Sequence, residues 1–117
     1  MIDTHAHLSD KFGNDLKIEG LEGVILAASC LEDAQNNLKL AETNKKLWPA
    51  LGIHPQDTDP ENKLSTEKQL ELLERLAGDK KTVAIGECGL DFSPAPPGEK
   101  DRDQKEQEIL FRGQIGI

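Results

Sequence analysis

Tyrosine is absent from this 117-residue sequence, and Phe12, Trp48, Phe92 and Phe111 are its entire aromatic complement. Four rings are too few for the stacking platform of a single-strand binder. Basic residues are also scarce: 14 Lys and Arg face 22 Asp and Glu, a formal net charge of −8. That balance excludes tight, sequence-independent nucleic-acid binding through a basic groove. If phosphate is handled here, something else must meet its charge, and a metal ion would do so. No apolar run approaches the roughly 18 residues of a membrane span. No basic start followed by an apolar stretch marks a signal peptide. The two cysteines, Cys30 and Cys88, have no C-x-x-C spacing. They read as reduced, buried thiols of a cytoplasmic protein, with a disulfide as the alternative.

What remains is a chain of 36% hydrophobic and 31% charged residues, sized for one small domain with a modest core. The apolar runs are short and regularly spaced. "MID" leads in, and "GVILAAS" and "KTVAIGE" are continuously apolar, as strands buried on both faces are. "LWPALGI" reads as a third such strand despite Pro49, which cannot donate to a ladder. Strands are therefore expected near residues 1–4, 23–28, 48–53 and 82–87. Helical patterns lie between them. Ser29 and Glu32 match a capping box, and Leu31, Ala34, Leu38 and Ala41 share one helix face. Thr66 and Gln69 repeat the cap signal before Leu70, Leu73, Leu76 and Ala77, and Gly78 is a plausible stop. A last helix from about Asp103 carries Ile109, Leu110 and Ile115, and Asp10–Glu22 would hold a short first helix. Such alternation implies a parallel sheet with right-handed crossovers. Either a small open sheet or four units of a (β/α)8 barrel fits; a full barrel needs roughly 200 residues or more.

Potential chemistry follows the strand ends, where parallel α/β folds build their sites. In "DTHAHL", His5 and His7 lie two apart at the exit of the first strand and aim to one side. Two neutral imidazoles on a rigid edge suit a divalent metal, and Asp3 on the same face could orient a ligand. "ALGIHP" puts His54 just past the third strand. "AIGECGLDF" ends an apolar strand on Glu87, a carboxylate costly to bury without a cation to meet. Taken singly, the histidine pair also fits unrelated surface residues, His54 a turn histidine, and Glu87 a capping or salt-bridged group.

Taken together, "IDTHAHL", "LGIHP" and "IGECGLDF", in this order, resemble the TatD family of metal-dependent hydrolases. The resemblance runs from Ile2 to about Gly113. It implies a (β/α)8 barrel of the amidohydrolase type, of which this chain supplies the N-terminal half as one domain, residues 1–117. Many members are described as deoxyribonucleases. By this resemblance His5 and His7 match metal-binding histidines, and Glu87 matches the carboxylate bridging two metals. His54 would contact substrate phosphate and Asp91 would support the site. The remaining family ligands, two histidines and a late aspartate, have no counterpart here, because no histidine follows His54.

The expected function is two-metal hydrolysis of phosphodiester bonds in DNA, with Mg, Mn or Zn as the ions and activity only when the site is complete. Two alternatives stand beside it. One is a metal-dependent esterase or deacylase acting on aminoacyl-tRNA or a small ester. The other is a non-catalytic half-barrel subunit. Open sheet edges would favour self-association.

Overall fold

The computed structural model describes residues 1–8, 18–57, 64–95, 97–98 and 101–117. Four strands, β1 (Ile2–Ala6), β2 (Gly23–Ala27), β3 (Leu47–Leu51) and β4 (Ala84–Ile85), form one sheet in the order β1-β2-β3-β4. All three pairings are parallel. Helices α1 (Leu31–Thr43), α2 (Thr66–Ala77) and α3 (Gln104–Ile115) punctuate them. The alternating α/β architecture is as expected. The expected first helix falls largely on residues 9–17, outside the described residues. Ile18 to Glu22 form a turn, closed by the Leu21 N–H on the Ile18 carbonyl at 3.2 Å.

Strand bounds differ from expectation most at β4, which is two residues long where six were expected. Its hydrogen bonding nevertheless runs further: Val83 N–H donates to Pro49 O (2.9 Å) and Gly86 N–H to Leu51 O (2.8 Å). Those bonds also explain how a proline sits inside a central strand. Pro49 faces β4, and its missing N–H would point to the segment before β4 begins, so no ladder bond is lost.

Helix caps differ by one residue from the sequence signals. Cys30, not Ser29, is the N-cap of α1, its sulfur accepting from Asp33 N–H. Ser29 instead bonds the Asp33 carboxylate through its hydroxyl (2.7 Å) and its N–H (3.3 Å). Ser65, not Thr66, caps α2 and accepts from Lys68 N–H at 3.3 Å. α3 starts where expected, with Asp103 as its N-cap.

The core has two parts. Ala28, Ala34, Leu38, Leu51, Ile53, Leu73 and Leu110 knit the three helices to β3. Val24, Leu26, Ala41 and Leu47 seal α1 onto β2 and β3. Leu110 is buried, but Ile109 and Ile115 are exposed. The face of α3 that packs inward is Gln107, Leu110 and Gln114. On this spacing of three and four, Gly113 lets Leu70 of α2 approach; a methyl there would collide with the Leu70 side chain. Cys30 and Cys88 are free and half-buried, not fully buried as expected. Burial pushes both thiols up, keeping them protonated.

Candidate metal centre

Strand β1 gains one residue on β2 between Asp3 and Ala6, three steps along β1 opposing two along β2. Such a bulge re-aims the side chains that follow it. His5 is the penultimate residue of β1 and His7 lies just beyond the strand, and their rings meet edge to face, centroids 4.8 Å apart. Their Nε2 atoms stand 3.0 Å from each other. Glu87, two residues past β4, reaches both: Oε1 lies 3.3 Å from His5 Nε2, and Oε2 lies 3.9 Å from His7 Nε2. The side chains of His5 and His7 are 57% and 50% exposed, and that of Glu87 29%. Asp3 bonds the His5 backbone N–H at 3.1 Å, so it orients the main chain of the ligand segment rather than an imidazole ring.

The donor set can be tested against a divalent ion. A tetrahedral ion with bonds of about 2.0–2.2 Å holds its ligand atoms about 3.3 Å apart. The three donor atoms of His5, His7 and Glu87 lie within 4.8 Å of one another. Two imidazole nitrogens and a carboxylate oxygen therefore fit one ion and leave room for further ligands.

Glu87 is delivered by backbone contacts. Its N–H donates to Ala28 O at 3.0 Å, at the exit of β2. Gly52, just past β3, packs on the Gly86–Glu87 peptide so closely that a Cβ would overlap its backbone. Only glycine lets the chain leaving β3 pass so close to the Gly86–Glu87 backbone.

His54 hangs from the next carbonyl of the same exit, its N–H donating to Ser29 O at 2.8 Å. Gln56 N–H donates to His54 Nδ1 at 3.2 Å, which leaves Nε2 as the protonated nitrogen of the neutral ring. Asp91 sits in the loop after β4. The Ser93 hydroxyl and N–H hold its carboxylate below the usual range, with His54 a further, smaller contributor. The structure thus brings His5, His7 and Glu87 into one cluster and His54 with Asp91 into a second group. His7, His54 and Glu87 follow strand ends and His5 is the penultimate residue of β1, close to the sequence expectation, while Asp91 lies in the loop after β4.

Sequence reasoning missed the buried amides. Gln114 of α3 accepts from Ile53 N–H (2.8 Å) and donates to Ile53 O (3.1 Å). Gln107 treats Asp91 identically, at 2.9 and 2.8 Å. Gln56 Nε2 donates to the carbonyls of Asp91 and Ser93, both at 2.9 Å. Arg102, also buried, donates to Asp57 O and, at 3.2 Å, to Gln69 Oε1. The available signal was the polar pair seven apart on the inward face of α3, flanking Leu110.

Comparison with known proteins accords with this geometry. The chain matches the family described as "TatD related DNase" over residues 2–117. A relative from Salmonella typhimurium named 3'-5' ssDNA/RNA exonuclease TatD is 33% identical over 98 residues, covering 84% of this chain and 34% of that protein. The protein of the same name from Musicola paradisiaca is 36% identical over 100 residues, covering 85% and 34%. This chain therefore spans about a third of the length of these curated relatives. The crystal structure of YJJV, a TatD homologue from Escherichia coli K12, superposes with a TM-score of 0.74 at 30% identity. That match covers 99% of this chain and 45% of that one. The four parallel strands and their helices correspond to part of the TIM-barrel architecture of that fold. With the match extending from Ile2 to Ile117, the chain belongs to the TatD-related DNase family.

Proposed function

We propose that this chain contributes His5, His7 and Glu87 to the metal site of a phosphodiester hydrolase, with His54 and Asp91 lining the adjoining substrate subsite. On this reading residues 1–117 form one domain corresponding to the N-terminal half of a TatD-type barrel. The substrate class is single-stranded nucleic acid, as the names of the relatives suggest.

The convergence of two imidazole nitrogens and a carboxylate at the strand ends carries the reading. That donor set suits zinc or manganese, while magnesium prefers oxygen ligands. An ion held there would polarise a phosphoryl oxygen and lower the pKa of a bound water. Glu87 turns one oxygen to each histidine, an arrangement suited to bridging two ions in a complete site. Its negative charge would balance theirs. His54, with its proton on Nε2, can donate to an anionic phosphate oxygen. Asp91, kept ionised by Ser93, supports the loop beside it. No residue of the chain is assigned the role of general base. Bound cations would offset the repulsion between a chain of charge −8 and a polyanion.

Calorimetric titration of zinc or manganese into the chain tests the ligand assignment. The His5→Ala/His7→Ala variant should lose at least about 100-fold in affinity, the upper end of what losing even an outer-shell partner does. Equal affinity in that variant would remove the metal site. Hydrolysis of single-stranded DNA by the chain alone should be slow, because three donors hold one ion without a base. An aminoacyl ester assayed in parallel addresses the alternative substrate. Robust DNA turnover that Glu87→Gln abolishes would contradict an incomplete site and favour completion by a second copy.

A further inference from the structure

Three glutamines make a frame that none of the metal chemistry requires. Gln107 and Gln114 lie seven residues apart on the buried face of α3. Each amide satisfies both backbone groups of a single loop residue, Asp91 for Gln107 and Ile53 for Gln114. The residue after Ile53 is His54. Gln56 joins the two loops, its side chain held by the carbonyls of Asp91 and Ser93 and by the N–H of Arg102 at 3.3 Å. Its own N–H is the donor to His54 Nδ1.

Buried amides that bond a backbone in both directions are demanding parts. Leaving Ile53 or Asp91 unpaired would expose buried donors and acceptors to a desolvation penalty, and an apolar side chain of equal size could fill the space without any such requirement. Their bonds do what apolar packing cannot: they fix the loop main chain in position and in peptide orientation.

We propose that Gln56, Gln107 and Gln114 are positioning residues that keep His54 Nδ1 as a hydrogen-bond acceptor, so that Nε2 carries the ring proton and can donate to an anionic oxygen. Gln114 sets the height of the His54 backbone through Ile53. Gln107 sets Asp91, and Gln56 locks the two settings together while its N–H selects the tautomer. This rests on His54 serving the substrate subsite, and it reaches beyond that reading by naming what sets its proton. A second imidazole tautomer would present a lone pair toward an anion and repel it.

The experiment is long-range 1H–15N correlation spectroscopy of the histidine rings in the full 117-residue chain. Wild type should show His54 as the Nε2–H form. Gln114→Met keeps the side-chain volume and removes both bonds, and it should convert the His54 signals to a mixture of tautomers. Gln56→Ala, at a half-buried loop position, keeps the backbone N–H but frees Asp91 and Ser93. It should broaden His54 and the loop together, and it decides the matter if Gln114→Met does not fold. A merely structural role would lower the melting temperature and leave the tautomer unmoved. Retention of pure Nε2–H in the folded variants, or an Nδ1–H ring in wild type, overturns the proposal. Zinc added to the same samples reads His5 and His7 separately. Their failure to respond would count against the metal site while the His54 result stands on its own.

Discussion

The two halves of the candidate site are built by opposite means. His5 and His7 stand half-exposed on and just past β1, an outer strand of the sheet, and owe their convergence to a period of two and one bulge. Asp91 and Ile53, the residue before His54, are held by amides from a helix 16 and 61 residues away in sequence. The first group is local geometry aimed outward; the second is a loop main chain gripped from the core. Exposed ligands can change without disturbing the fold, whereas the His54 side cannot be altered without disturbing buried bonds.

Gly52 is where the two constructions touch, so Gly52→Ala should have the largest effect. The added methyl meets the Gly86–Glu87 backbone, which cannot retreat as a flexible side chain can. We expect a loss of roughly 3 kcal/mol or more, at the upper end of overpacking effects, together with loss of metal binding as Glu87 is displaced. Thermal unfolding with zinc titration checks both. Unchanged metal affinity in a folded Gly52→Ala chain would mean that Glu87 is placed independently of β3.

A middling effect is expected from association. β1 and β4 are the outer strands of the sheet, and unpaired edges invite pairing with another copy. Sedimentation velocity should show concentration-dependent dimers. Pairing along β1 should slow amide exchange around His5 and leave the Ile53–Gln56 amides as they are. A monomer throughout the micromolar range would mean that the outward-facing half is not protected in this way.

The smallest effect concerns Asp91. Ser93 depresses its pKa, so ionised Asp91 favours the native loop above its ordinary pKa, and this contribution is lost as pH falls through the depressed one. Ser93→Ala should raise the Asp91 pKa toward the ordinary carboxylate value and so shrink that acid-dependent loss of stability. Carboxyl chemical-shift titration reads it. An unmoved Asp91 would assign its depression to the retained backbone N–H of residue 93 and to His54 instead.

Much of this was legible in the residues. Continuous apolar runs named three strands after the lead-in "MID", and strand-end placement singled out His5, His7, His54 and Glu87, whereas Asp91 came only from the family resemblance. The caps slipped by one residue because the acceptors are offered by Cys30, one position after Ser29, and by Ser65, one position before Thr66. β4 shortened because its ends bond β3 without completing a ladder. Ile109 and Ile115 misled because hydrophobicity was taken to mark the buried face of α3, which is in fact two glutamines around Leu110.

The sequence by itself determined the alternation of strands and helices, and the presence of imidazoles and a carboxylate at their exits, because periodicity and residue chemistry are properties of neighbours in the chain. Only the tertiary structure decided that Glu87 meets both histidines, that Gly52 must lack a side chain, and that Gln107 and Gln114 face inward. Those depend on which backbone groups remain unpaired once the sheet and helices are packed, and a buried N–H or carbonyl must find a partner wherever the fold supplies one.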